Sequence, residues 1–221
     1  GSVGKTGTKE ALAHVLAPQG ATSFSKNSLN NHWGVPLSLA RMPADTAFGI
    51  FEIGMNHSGE ITPLVGLARP HVAVVTAIAP AHMAFFSSLE EIARAKAEIF
   101  SGLDGGIAVI NRDTEHFNLL AQSALATGAA NIISFGRSAK ADMRLVECES
   151  DTTGSSIEIC WYGKPLKFRV GQPGLHWACN SLAVLATVDA LGGNIDEAAA
   201  AMASLPDLAG RGATQTRRST P

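Results

Sequence analysis

The opening residues Gly1-Ser2-Val3-Gly4-Lys5-Thr6 have the composition and spacing of a phosphate-binding turn. Glycines reach backbone conformations that a Cβ would block. The amides at the start of the following helix can then converge on an anion. Lys5 can reach the β- and γ-phosphates of a nucleotide, and the Thr6 hydroxyl can ligate Mg²⁺. The alternative is an ordinary glycine-rich turn capped by threonine. A helix-compatible run from Lys9 to Leu16, stopped by Pro18 and Gly20, favours phosphate binding.

Other residues could share the chemistry. Glu52 ends an apolar strand, and a carboxylate there faces the ligand crevice of a parallel sheet. It reads either as a Mg²⁺ ligand or as a solvated strand-end residue. His82 lies four residues past the next strand and reads as a crevice residue or as a surface-loop histidine. Lys96 lies in a helix, where a lysine is ordinarily solvated. Asn30 and Asn31 precede Gly34-Val35-Pro36, the composition of a loop or of a polar contact to substrate. His176 and Asn180 are four apart at a helix start, so they share a face. They read as a cap and polar edge, or as contacts to adenine or ribose.

These residues need a scaffold that brings separate strand tips together. Apolar runs at 47–53, 71–78, 106–110 and 131–135 predict strands, the second with the pattern of a strand covered on both faces. Helical patterns at 60–69, 88–100 and 114–127 alternate with them. Ser88 and Glu91 are placed as a capping box. The expected fold class is α/β, P-loop-type, with a mostly parallel sheet and helices on both faces. Residues 142–149, 155–162 and 165–170 alternate with period two, which predicts a small antiparallel sheet over about 140–171. Helices at 175–191 and 195–204 close the fold. A strand normally precedes a phosphate-binding loop, so the chain is expected to be cut at a domain boundary.

Composition narrows the function classes. The 221 residues carry 17 Lys+Arg against 19 Asp+Glu, a net charge of -2. No basic field holds nucleic acid. No apolar run of membrane-spanning length exists, so no membrane insertion is expected. Three cysteines without CxxC spacing argue against a disulfide framework or a zinc cage and suit a reducing, cytoplasmic setting.

Six segments in order resemble the central ATP-binding domain of the Mur ligases: Gly1 to Lys9, Phe51 to Ile61, Val75 to His82, Ala95 to Glu98, Gly174 to Asn180, and Gly210-Arg211-Gly212. Asn30-Asn31 with Gly34-Val35-Pro36-Leu37, and Gly54 to Ile61, resemble the members that add D-alanyl-D-alanine to UDP-N-acetylmuramoyl-tripeptide. The likeness implies a domain over 1–212, a linker over 213–221, and N- and C-terminal domains in a parent enzyme. It implies ATP and Mg²⁺ as cofactors. Gly1, Ser2, Val3, Gly4, Lys5 and Thr6 would hold the phosphates. Thr6 and Glu52 would hold one Mg²⁺, and His82 would share a second. Lys96 matches a lysine that is carbamylated by CO₂. His176 and Asn180 would line the adenine side, Arg211 would reach the nucleotide from the domain edge, and Asn30 and Asn31 would contact substrate. Two positions depart from the family's pattern: Ala77 stands where an asparagine is usual, and Trp177 where another is. Other amide ligases of this fold, a folylpolyglutamate synthetase among them, and a nucleotide-binding piece without turnover remain the competing readings.

Overall fold

The computed structural model describes residues 1–26, 29–81 and 84–206. His82, Arg211 and the expected linker over 213–221 therefore lie outside the described residues.

The chain enters helix α1 (Lys5–Leu16) directly from the glycine-rich turn. Ala11, Leu12, Val15 and Leu16 repeat at helical spacing and are buried. Strand β1 (Thr22–Phe24), helix α2 (Gly34–Ala40), strand β2 (Phe48–Ile50) and helix α3 (Ile61–Ala68) follow. Next come β3 (Val72–Val75), α4 (Leu89–Ala97), β4 (Ile107–Asn111), α5 (Phe117–Ala126) and β5 (Asn131–Gly136). Strands β6 (Met143–Ser150), β7 (Ser155–Trp161) and β8 (Lys164–Val170) lead to α6 (Leu175–Ala190) and α7 (Ile195–Ala201).

The strands form a six-stranded sheet in the order β3-β4-β5-β6-β7-β8 and a separate parallel pair, β1-β2. Pairing is parallel from β3 to β6 and antiparallel from β6 to β8. The expected small antiparallel sheet is thus no separate body. Phe135 and Gly136 pair with Met143 and Arg144, which joins it to the parallel strands. Tyr162 (φ 45) and Gly163 (φ 83) make the two-residue turn between β7 and β8, a left-handed geometry that matches strand twist.

Helices cover both faces, as expected from the alternation. On one face α1, α6 and α7 pack over Val109, Ile133, Phe135 and Ile159. On the other, Leu120 and Ala124 of α5 meet Phe100, Ala108 and Ile110. A third cluster joins α2, α3 and α4 through Val35, Leu64, Val65 and Ile92. Leu182 and Leu185 of α6 are fully buried, each contributing about 1.5–3 kcal/mol.

Two elements differ from the sequence reading. β1 is a strand that the sequence does not announce. The Gly34-Val35-Pro36 stretch, read as a turn, is the first turn of α2. Proline is tolerated there because first-turn amides have no intrahelical partner.

Candidate functional site

The glycine-rich turn sits at the carboxyl ends of β2 and β3, where parallel sheets bind ligands. Gly4 takes φ +82, and a Cβ on it would come within 2.6 Å of Asn180 Oδ1. The left-handed backbone favours glycine here, and any Cβ would also displace the Asn180 side chain of α6. A Cβ on Gly7 would come 3.2 Å from the Trp177 ring, so α1 and α6 pack closely here.

The turn is laced to the segment after β3. Ser2 N donates to Ala77 O at 2.7 Å. The Ser2 hydroxyl donates to Ala79 O at 2.9 Å and accepts from Ala79 N at 3.0 Å. Thr76 Oγ1 donates to Val3 O at 2.6 Å, while Asn111 Nδ2 holds Thr76 O at 2.8 Å. Lys5 Nζ folds back over the turn and donates to Gly1 O at 2.9 Å. These contacts preorganise the turn before any ligand arrives.

Glu52 is buried beside it. Thr6 Oγ1 donates to Glu52 Oε2 at 2.9 Å, and Asn30 Nδ2 donates to Glu52 Oε1 at 2.8 Å. The Glu52 backbone N–H donates to Ser25 Oγ at 3.1 Å, and Lys9 Nζ holds the Ser25 carbonyl at 2.7 Å. Both carboxylate oxygens and the backbone are thus oriented. Thr6 and Glu52 present hard oxygen donors side by side, the donor type Mg²⁺ prefers alongside water and phosphate oxygens.

Lys96 is 5% exposed on α4. Burial, and then the charge of Lys5, push its ammonium down to about 8 from an ordinary 10.5. A lysine in this state loses its proton far more readily than a solvated one. The simple expectation of a solvated helix face does not hold.

The remaining candidates divide. Asn180 stands against the turn. His176 lies one helical turn before it, exposed, with its ring 6.0 Å from that of Trp177. The Asn31 side chain accepts from Trp33 N at 3.1 Å and Gly34 N at 2.9 Å, so it caps α2. Sequence reading passed over Lys9, Ser25, Thr76 and Asn111. Lys9 has the only visible signal: it falls on the otherwise apolar face of α1.

The family described as the Mur ligase middle domain matches residues 1–188. The chain is 39% identical over 215 residues to a UDP-N-acetylmuramoyl-tripeptide–D-alanyl-D-alanine ligase of Rickettsia prowazekii, covering 96% of this chain and 47% of that one. It is 35% identical over 221 residues to the ligase of the same name from Escherichia coli, covering 96% and 46%. The chain spans about half the length of the curated relatives it matches. A MurF crystal structure from Acinetobacter baumannii superposes with a TM-score of 0.88 at 28% identity, covering 95% of this chain and 46% of that one. A MurF ligase from Thermotoga maritima in complex with ADP superposes with a TM-score of 0.81 at 25% identity, covering 94% and 47%.

Proposed function

The chain belongs to the Mur ligase family, by its middle domain, and we propose that it is the ATP-binding part of a ligase that joins D-alanyl-D-alanine to UDP-N-acetylmuramoyl-tripeptide. One observation carries the reading: the Thr6 hydroxyl and the Glu52 carboxylate meet at 2.9 Å directly beside the turn that Lys5 spans. A hydroxyl and a carboxylate from separate elements, brought together beside a phosphate-binding turn, suit a metal-nucleotide site.

The reaction has two steps. A carboxylate oxygen of the tripeptide attacks the γ-phosphorus of ATP, and the β–γ bridging bond breaks to release ADP. The amine of the dipeptide then attacks the acyl-phosphate carbonyl, loses a proton, and expels phosphate as the amide forms. Attack by one anion on another needs cations aimed at the charge that moves. Lys5 and the amides of the turn hold the β- and γ-phosphates. Thr6 and Glu52 would hold Mg²⁺, which neutralises phosphate charge when bound. Asn30 keeps Glu52 turned toward Thr6.

Lys96 has the chemistry for carbamylation. Its neutral amine attacks CO₂ and loses a proton, which turns a buried cation into an anionic oxygen donor. The depressed proton affinity produced by burial and Lys5 supports that role. His82 would join the same cluster at a second Mg²⁺. His176 and Asn180 would border the adenine, with Arg211 reaching in from the domain edge. Asn30 and Asn31 would face the substrate side. N- and C-terminal domains of the parent would carry the UDP end and close over the nucleotide, in the cytoplasm.

Phosphate release by the full-length parent tests this. It should require tripeptide substrate and D-alanyl-D-alanine together, and Glu52→Gln should lower the rate at least about a hundredfold. Release that ignores the dipeptide overturns the assignment.

A further inference from the structure

Lys9 interrupts the apolar face of α1 and is 3% exposed. Its Nζ donates to Ser25 O at 2.7 Å and pairs with Glu10 Oε1 at 3.0 Å. It also stands 5.9 Å from the centroid of the Phe24 ring. Taking an ammonium out of water is costly. Apolar groups of similar volume often replace a buried ion pair with no loss of stability, or with a gain. Stability is therefore a poor account of this lysine, and the residue it holds gives a better one.

Ser25 is 1% exposed and directly follows β1. Its N–H donates to Ile50 O at 3.0 Å, its carbonyl accepts from Lys9, and its hydroxyl accepts from Glu52 N at 3.1 Å. The β1–β2 ladder ends at Phe24 and Ile50. The Ser25 hydroxyl thus carries the pairing onward to Glu52, whose carboxylate meets Thr6. Thr6 and Lys9 are three apart in α1, so they lie on one face. That face grips the end of β2 twice: Thr6 by the carboxylate, and Lys9, through Ser25, by the backbone. One contact alone leaves the carboxylate free to pivot. Two fix both its position and its direction.

We propose that Lys9 is a positioning residue for the divalent cation of the nucleotide, setting where Glu52 stands relative to Thr6 without being a ligand itself. The inference rests on the reading of Thr6 and Glu52 as Mg²⁺ donors. The Thr6–Glu52 hydrogen bond engages the two atoms a cation would take, so it is the contact that a cation disturbs. The tie from Lys9 through Ser25 to Glu52 uses a carbonyl, a hydroxyl and a backbone amide, none of them a donor to the metal. It holds the strand end whether or not a cation is bound. Groups that orient a metal ligand typically change metal affinity 10–100-fold when removed.

ADP binding to the full-length parent tests this, by calorimetry across a Mg²⁺ titration and again in EDTA. The variants are Lys9→Met, Ser25→Ala, their combination, and Glu52→Gln as the reference for a lost ligand. Lys9→Met and Ser25→Ala should each raise the Mg²⁺ midpoint at least about tenfold, while ADP affinity in EDTA stays that of the unaltered enzyme. The combination should shift the midpoint no further than the larger single change, because both cut one tie. A merely structural lysine would instead lower affinity in EDTA as well. An unmoved midpoint in Ser25→Ala, or in a folded Lys9→Met, overturns the proposal, as do additive shifts or a parallel loss in EDTA. If Glu52→Gln also leaves the midpoint unmoved, the metal reading itself falls. If Glu52→Gln alone moves it, only the role of Lys9 does.

Discussion

Lys96 shows how far surroundings can change a residue. Its position in α4 and its neighbours Arg94 and Glu98 suggest a charged surface helix. In the fold it is buried, and burial with Lys5 depresses its proton affinity to about 8. Between pH 8 and 10.5 the unfolded chain still binds this proton while the folded chain has released it. Stability therefore rises with pH across that window, by roughly 3 kcal/mol from this group. Below pH 8 both states are protonated, and Lys96 contributes a constant cost. Lys96→Met should raise stability at pH 7 and flatten the rise between 8 and 10.5, measured by urea unfolding at each pH. An unchanged slope would show that the ammonium is solvated. The sequence could suggest Lys96 only through family resemblance, because no local pattern reports the charge of Lys5 across the fold. Glu52 was more legible, since a carboxylate after an apolar strand is visible in one segment. Its grip by Asn30, Thr6 and Ser25 was not, for those partners lie 22 to 46 residues away in the chain.

At the level of elements, strong local signals survived and weak ones did not. Ser88 caps α4, accepting from Glu91 N at 3.1 Å, and Glu91 reaches back to Ser87 N at 2.8 Å. The return bond lands one residue earlier than in the usual box, on the N′ amide of Ser87 rather than on that of the cap residue. β1 has three residues and no apolar alternation, and exists because β2 offers it an edge. α3 begins on a cap that no sequence pattern shows. Glu98, 36 residues beyond Thr62, accepts from Gly59 N at 2.6 Å, Ile61 N at 3.2 Å and Thr62 N at 3.3 Å. A carboxylate there satisfies amides that the helix leaves open and meets the positive end of its dipole. Glu98→Ala should cost about 1–3 kcal/mol of unfolding free energy, with the fastest exchange gained at residues 59–62. Because the same amides anchor the loop that follows Glu52, nucleotide affinity should fall with it, while α5 and the β6–β8 hairpins keep their protection.

For the whole molecule, the alternation of strand and helix was readable because β3, β4 and much of β5 are covered on both faces and so are largely apolar. The join of β6 to β5 was not, because two paired residues leave no trace in composition. The site inherits the same division. Its glycine-rich turn is joined by hydrogen bonds within this chain to Glu52 and to the segment after β3. Under the proposed function, a reacting carboxylate and amine must also be held in line with the nucleotide. Holding two reactants in line is worth several orders of magnitude in rate, and closure of further domains commonly supplies it. Binding and turnover should therefore separate. The isolated chain should bind ADP in a Mg²⁺-dependent manner by calorimetry, and Lys5→Ala should abolish that binding. Its ligation of D-alanyl-D-alanine should run at least about a thousandfold below the full-length parent. Ligation at the parent's rate would place the acceptor site within these 221 residues. Loss of Mg²⁺ dependence with ADP binding retained would instead separate Thr6 and Glu52 from the metal, and leave the turn as a plain phosphate cradle.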